Sequence, residues 1–90
     1  MTSAQDKSTQ AELLEQTRVL VESVVMRRID ADTALIESGL VDSVLAVEIA
    51  LRVEVVFGAR LPPTEIAEHL ASVATLAGFI ADNAPNPSSR

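Results

Sequence analysis

Residues 44–57 read VLAVEIALRVEVVF, and this stretch restricts the fold more tightly than any other part of the chain. At about 100° per residue, Ala46, Ile49, Val53 and Phe57 line up as one apolar face. Val44, Val47, Leu51 and Val55 form a second stripe on the far side, bordered by Glu48, Arg52 and Glu54. A helix that is apolar nearly all round is either enclosed by a large protein or uses its second face for something. Ninety residues make one small domain, and such a domain buries only roughly 60–65% of the surface its unfolded chain exposes. It cannot enclose this helix, so part of the second stripe is expected to be a docking surface for partner proteins.

The rest of the chain supplies helices to cover the first face. Thr9 and Glu12 have capping-box spacing, and Leu13, Leu20 and Val24 recur behind them, with Leu14, Val21 and Val25 alongside. This predicts an amphipathic helix ending near Arg27–Arg28, whose charge suits a helix C-terminus. Residues 29–42, IDADTALIESGLVD, have no clean period. A connection of that length in a compact domain is often functional, and Ile29, Leu35, Ile36 and Leu40 are expected to pin it to the core. The second helix should run from Ser43 to Phe57 and stop at Gly58. The Pro62–Pro63 pair opens a short third helix within PTEIAEHL. Ser72 caps a fourth, with Val73, Leu76, Ala77 and Ile80 on one side. The expected fold is all-α: a small four-helix bundle of three longer helices and a short third. Residues 9–83 form the folded domain, and polar residues 1–8 and 84–90 are expected to be disordered ends.

Composition removes several classes of function. A net charge of −6 argues against a nucleic-acid binder, which needs a basic face to displace counterions. Without cysteine there is no disulfide, thiolate metal site or thiol catalysis. The opening MTSAQDKSTQ lacks the apolar stretch of a signal peptide, and no run of about 18 apolar residues exists to insert into a membrane. The expectation is a soluble, cytoplasmic protein. Asp30 and Asp32 start like a calcium loop, but Leu35 stands where glycine is needed and Val41 where the bidentate glutamate belongs. Ser43 and His69 could nominally form part of a hydrolase triad. Yet Gly39 and Ser43 do not make Gly-x-Ser-x-Gly, and no strand precedes the serine. Neither a catalytic nor a metal site is expected.

What remains is GLVDS, residues 39–43, at the head of the two-faced helix. Asp and Ser are both preferred helix caps, so the plain reading is that Ser43 caps; its loss would then cost about 0.5–2 kcal/mol. The chain would in that case be an unmodified helical interaction module. The other reading is a point of attachment. The long loop before Ser43 makes it accessible, and the free N–H groups of a helix N-terminus would favour a phosphate bonded to its oxygen. The docking stripe begins at the next residue, Val44. Ser72 leads into the closing helix without a preceding aspartate, Ser23 lies inside the first helix, and Ser38 has no helix behind it.

GLVDSVLAVEIALRVEVVFG closely resembles the modification-site helix of acyl and peptidyl carrier proteins. In that family a Gly-x-Asp-Ser-Leu-like motif opens the second helix, and its serine carries 4′-phosphopantetheine. Phe57–Gly58, Leu61–Pro62, Ile66 and Ser72–Val73 also fall where the family ends its second helix, starts its short third and caps its fourth. The resemblance spans roughly residues 9 to 83, nearly a whole small domain. It implies that Ser43 is the phosphopantetheinylated serine and Asp42 the aspartate before it. Val44, Val47 and Leu51 match positions that contact partner enzymes, Val55 continues that stripe, and Glu48 matches an acidic residue that meets basic patches on partners.

The implied partners are a phosphopantetheinyl transferase, an acyl- or aminoacyl-loading ligase or transferase, and a downstream synthase or transferase, all met by a monomer. Two departures refine this. Val44 stands where leucine is usual, and Leu45, Val55 and Val56 occupy positions often acidic in carriers of fatty acid synthesis, so docking should lean on apolar contact. One extra residue between Gly39 and Asp42 makes ESGLVDS more similar to the NGLLDS form of aminoacyl carriers. The resemblance thus points to a stand-alone carrier of a secondary-metabolite (polyketide or nonribosomal peptide type) or aminoacyl pathway. With Phe57 and Phe79 the only aromatics, any cargo pocket would be aliphatic and small.

Overall fold

The computed structural model describes the backbone of residues 2–83 and the side chains of residues 11–83. Helix α1 spans Thr2–Val25, α2 Ser43–Phe57, α3 Ile66–His69 and α4 Val73–Asn83, with a 3₁₀ turn, Pro63–Glu65, leading into α3. Among the described residues there is no strand. The expected four-helix bundle with a short third member is the observed fold. Helix α1 packs on α2 and α4, and α3 bridges α2 and α4.

The first helix begins at Thr2 and not at the Thr9 capping box, so part of segment 1–8, expected to be loose, has helical backbone. Ala4, Gln5, Lys7 and Gln10 are good helix formers, and no glycine or proline interrupts residues 2–25, so nothing stops propagation past Thr9. The expectation for residues 84–90 lies outside the described residues. At the other end α1 stops just before Arg27–Arg28. Met26 takes a left-handed conformation (φ 60°) and donates its N–H to the Glu22 carbonyl at 2.7 Å, closing the last turn.

The second helix has the expected bounds. Ala46, Ile49 and Val53 are buried in the core, and Phe57 is half-buried beside them. Gly58 ends it at φ 74°, donating its N–H to the Glu54 carbonyl at 2.9 Å, a left-handed cap that glycine adopts without a Cβ penalty. In α4, Val73, Leu76, Ala77 and Ile80 are all buried, as their spacing predicts. The Ser72 hydroxyl caps it, accepting from Thr75 N–H at 3.1 Å.

The connection 26–42 positions the head of α2 because it is fastened along its length. Ile29 and Leu35 are buried, Ile36 and Leu40 are half-buried against the core, and Val41, which has no period to betray it, is buried too. Leu35 N–H donates to the Ala71 carbonyl (2.9 Å), and Ala74 N–H donates to the Ala31 carbonyl (3.0 Å), so the loop is bonded to the α3–α4 junction. A further bond, Val41 N–H to the Leu35 carbonyl at 3.0 Å, folds the loop back just before α2. At its start, the Glu22 carboxylate accepts the Ile29 N–H (2.8 Å) and an Arg18 N–H (2.6 Å). Arg18 also bonds Glu15 and holds that carboxyl below the usual carboxylate range, while Glu15 in turn raises the guanidinium. The small stabilisation from Glu15 is therefore complete above the ordinary carboxylate range and is lost only as pH falls through the lowered value.

Leu35 is fully buried and Leu51 is 56% exposed. Leu35→Ala should lower unfolding free energy by about 2–5 kcal/mol, and Leu51→Ala should change it by less than about 0.5 kcal/mol, in urea denaturation.

Candidate functional site

The head of α2 separates the roles of Asp42 and Ser43. Asp42 is the N-cap: its backbone is extended (φ −95°, ψ −173°), and its Oδ1 accepts the Leu45 N–H at 2.9 Å. Its carbonyl accepts the Ala46 N–H at 2.8 Å, the first bond of the helix. Ser43 is therefore the first residue inside the helix. The reading in which Ser43 serves as the cap does not hold, because Asp42 already occupies that position with a side chain that reaches the third N–H.

Ser43 is exposed, and its hydroxyl has no hydrogen bond among the described residues. The other serines with described side chains are all engaged. Ser23 Oγ donates to the Leu20 carbonyl (2.6 Å), Ser38 Oγ donates to the Leu35 carbonyl (3.3 Å), and Ser72 Oγ caps α4. Helix geometry leaves the N–H groups of Ser43 and Val44 without an acceptor inside the helix. With the positive end of the helix dipole, they favour negative charge beside the Ser43 oxygen. A phosphate ester on Ser43 would project into solvent without displacing any internal bond, so the residues fit such a group.

Downstream of Ser43 the second stripe is bare. Val44 is 74% exposed and Val55 83%, with Val47 and Leu51 each more than half exposed. The structure thus brings Ser43 and this stripe together on one helix, as the sequence predicts. Glu48 is half-buried and paired, accepting from Arg52 Nε at 3.0 Å.

The apolar surface also extends beyond the stripe. An open groove of about 570 Å³ runs between α1 and α2, walled by Val19, Leu20 and Ser23 on one side and Leu51, Val55 and Val56 on the other. Val19 and Val56 are exposed members of it that periodicity did not single out. Val19 lies off the core face of α1, so only the packing of α1 on α2 makes it a neighbour of Val56.

His69 is not brought into a site with Ser43. It is half-buried; its Nε2 lies 3.1 Å from Glu65 Oε1, and its ring centroid is 4.2 Å from that of Phe79. That environment is a packing role for the imidazole. Among the described residues, no helix is long and apolar enough to cross a membrane.

This fold, with an uncommitted serine at the first position of its second helix, is that of a carrier domain. The sequence matches the family described as "Phosphopantetheine attachment site" over residues 13–80. The chain belongs to that family, whose domains carry covalently attached 4′-phosphopantetheine and work with a phosphopantetheinyl transferase and partner enzymes. No curated protein and no solved structure matches the sequence.

The division of roles at the helix head is measurable. Asp42→Ala should cost about 0.5–2 kcal/mol in urea denaturation as the cap is lost. Ser43→Ala should change stability by less than about 0.5 kcal/mol.

Proposed function

We propose that Ser43 is the residue that carries 4′-phosphopantetheine, and that the protein is a non-catalytic carrier. The observation that supports this most is that the Ser43 hydroxyl is exposed and uncommitted while its neighbour does the capping. In the transfer, the Ser43 oxygen would form a phosphodiester with the phosphopantetheine portion of coenzyme A. It would lose its proton and release adenosine 3′,5′-bisphosphate. Once bound, the group supplies a terminal thiol that holds an acyl or aminoacyl cargo as a thioester.

The chain's own part is address and proximity. Asp42 fixes the first turn of α2, so Ser43 sits on a rigid helix rather than a wandering loop. Val44, Val47, Leu51 and Val55 form the face that partner enzymes meet, and Glu48, paired with Arg52, borders it. Docking there would hold the tether near another active site and raise the effective concentration of the cargo. The sparse acidity of α2 and the ESGLVDS spacing favour a dedicated pathway, of the secondary-metabolite or aminoacyl kind, over general fatty acid synthesis. The cargo-loading ligase or transferase and the downstream synthase or transferase belong to that pathway. The carrier acts as a cytoplasmic monomer, since self-association through the stripe would block its partners.

Incubation with coenzyme A, magnesium and a broad-specificity phosphopantetheinyl transferase should add the mass of one phosphopantetheinyl group to the wild-type protein. Ser43→Ala should gain none. Modification of the Ser43→Ala protein would place the group elsewhere. Absence of modification in the folded wild type, with the transferase active on another carrier, would favour the unmodified interaction module.

A further inference from the structure

The two carboxylates on α2 are both answered from within the chain. Glu48 Oε2 lies 3.0 Å from Arg52 Nε, one helical turn on, and Glu54 Oε2 lies 3.5 Å from Arg60 Nη2, across the Gly58 turn. At about 100° per residue, Glu48 and Arg52 run along one flank of the Val44–Val47–Leu51–Val55 stripe, and Glu54 lies on the opposite flank. Each flank therefore carries one negative and one positive charge. Exposed pairs like these add little stability. Their long-range electrostatic effect does not depend on that: opposite charges a few ångströms apart largely cancel at separations well beyond their own, and screening removes much of the rest past a Debye length of about 8–10 Å. The chain's net charge of −6 is located elsewhere, with Asp30, Asp32 and Glu37 exposed on the loop and Glu65 and Glu68 exposed around α3.

We propose that Arg52 and Arg60 are specificity-determining residues that silence Glu48 and Glu54, making the α2 docking face apolar and electrically neutral. The occupant that fits it is a partner enzyme presenting an apolar, uncharged surface. A partner that relies on a basic patch finds no unpaired carboxylate on this helix and gives up the desolvation of its own cations against Val47 and Leu51. Glu48 then acts through its pairing with Arg52, not as a contact for a partner's cation. The apolar contact continues from Leu51 and Val55 into the groove beside Val19 and Val56. The docking part of this inference rests on the reading of Ser43 as the attachment site; the neutrality of the face does not.

Two measurements test it. In the first, the rate of phosphopantetheinyl transfer to Ser43 is followed for variants whose fold is checked by circular dichroism. Because Glu48 and Arg52 cancel each other, Glu48→Gln/Arg52→Gln removes both charges, keeps the face neutral and should cost several-fold less in kcat/KM than a net charge added to the stripe. A charge set into the apolar stripe, Leu51→Glu, should lower it about tenfold or more. Equal losses for the two proteins, or a larger one for Glu48→Gln/Arg52→Gln, would overturn the proposal. No transfer to wild type under any condition would remove the Ser43 reading and the docking claim with it.

In the second measurement, the ¹⁵N-labelled protein is titrated with octalysine at low salt. Amides of α2 should hardly move in the wild type and should shift in Arg52→Gln/Arg60→Gln. Equal α2 shifts in both proteins would overturn the neutrality, whatever happens at Ser43. Sedimentation completes the test: a wild-type dimer that Leu51→Glu converts to monomer would make the occupant a second copy of this chain, against the proposal.

Discussion

The central constraint on this molecule is that its second helix has more apolar surface than the described residues cover. Burying Ala46, Ile49 and Val53 uses α1 and α3, and α4 is committed to closing the bundle against α1. Among the described residues, no element lies over Val44, Val47, Leu51 and Val55. The stripe lies beside Ser43 because both belong to the same helix. A contiguous apolar face invites self-association. The carboxylates concentrated in the loop and around α3 give a net negative molecule that resists it.

The stripe would be of little use to a tether that wandered. The connection 26–42 has no regular structure, yet it delivers Ser43 to a fixed place. Leu35 and Val41 are buried, two backbone bonds tie the loop to the α3–α4 junction, and the Asp42 carboxylate closes the first turn of α2. Each of these acts on residues other than Ser43. The serine is held by its backbone while its hydroxyl has no partner among the described residues.

Much of this was legible in the chain. Apolar spacing gave the bounds of α2, the buried side of α4 and the exposure of the second stripe, because helical period alone decides which residues share a face. Ser72 was recognisable as a cap for the same local reason. The start of α1 was misplaced because Thr9 and Glu12 have capping spacing in the middle of a run that simply stays helical. Asp42 and Ser43 were ambiguous because both residue types cap well, and which one does so depends on where the backbone turns helical. The Glu48–Arg52 pair is readable from its i,i+4 spacing. Its counterpart, Glu54–Arg60, forms only because Gly58 reverses the chain and brings Arg60 back alongside the helix end.

The sequence by itself determined that one helix would have two apolar faces and a serine at its head, since both are consequences of residue order at a fixed angular period. The tertiary structure decided that Val41 would be buried and that the loop would be bonded to the α3–α4 junction. It also decided that Val19 of α1 and Val56 of α2 would line one groove, and that the hydroxyl of Ser43 would have no partner among the described residues. Those outcomes depend on where distant segments pack and on which backbone groups reach each other, and no local pattern carries that information.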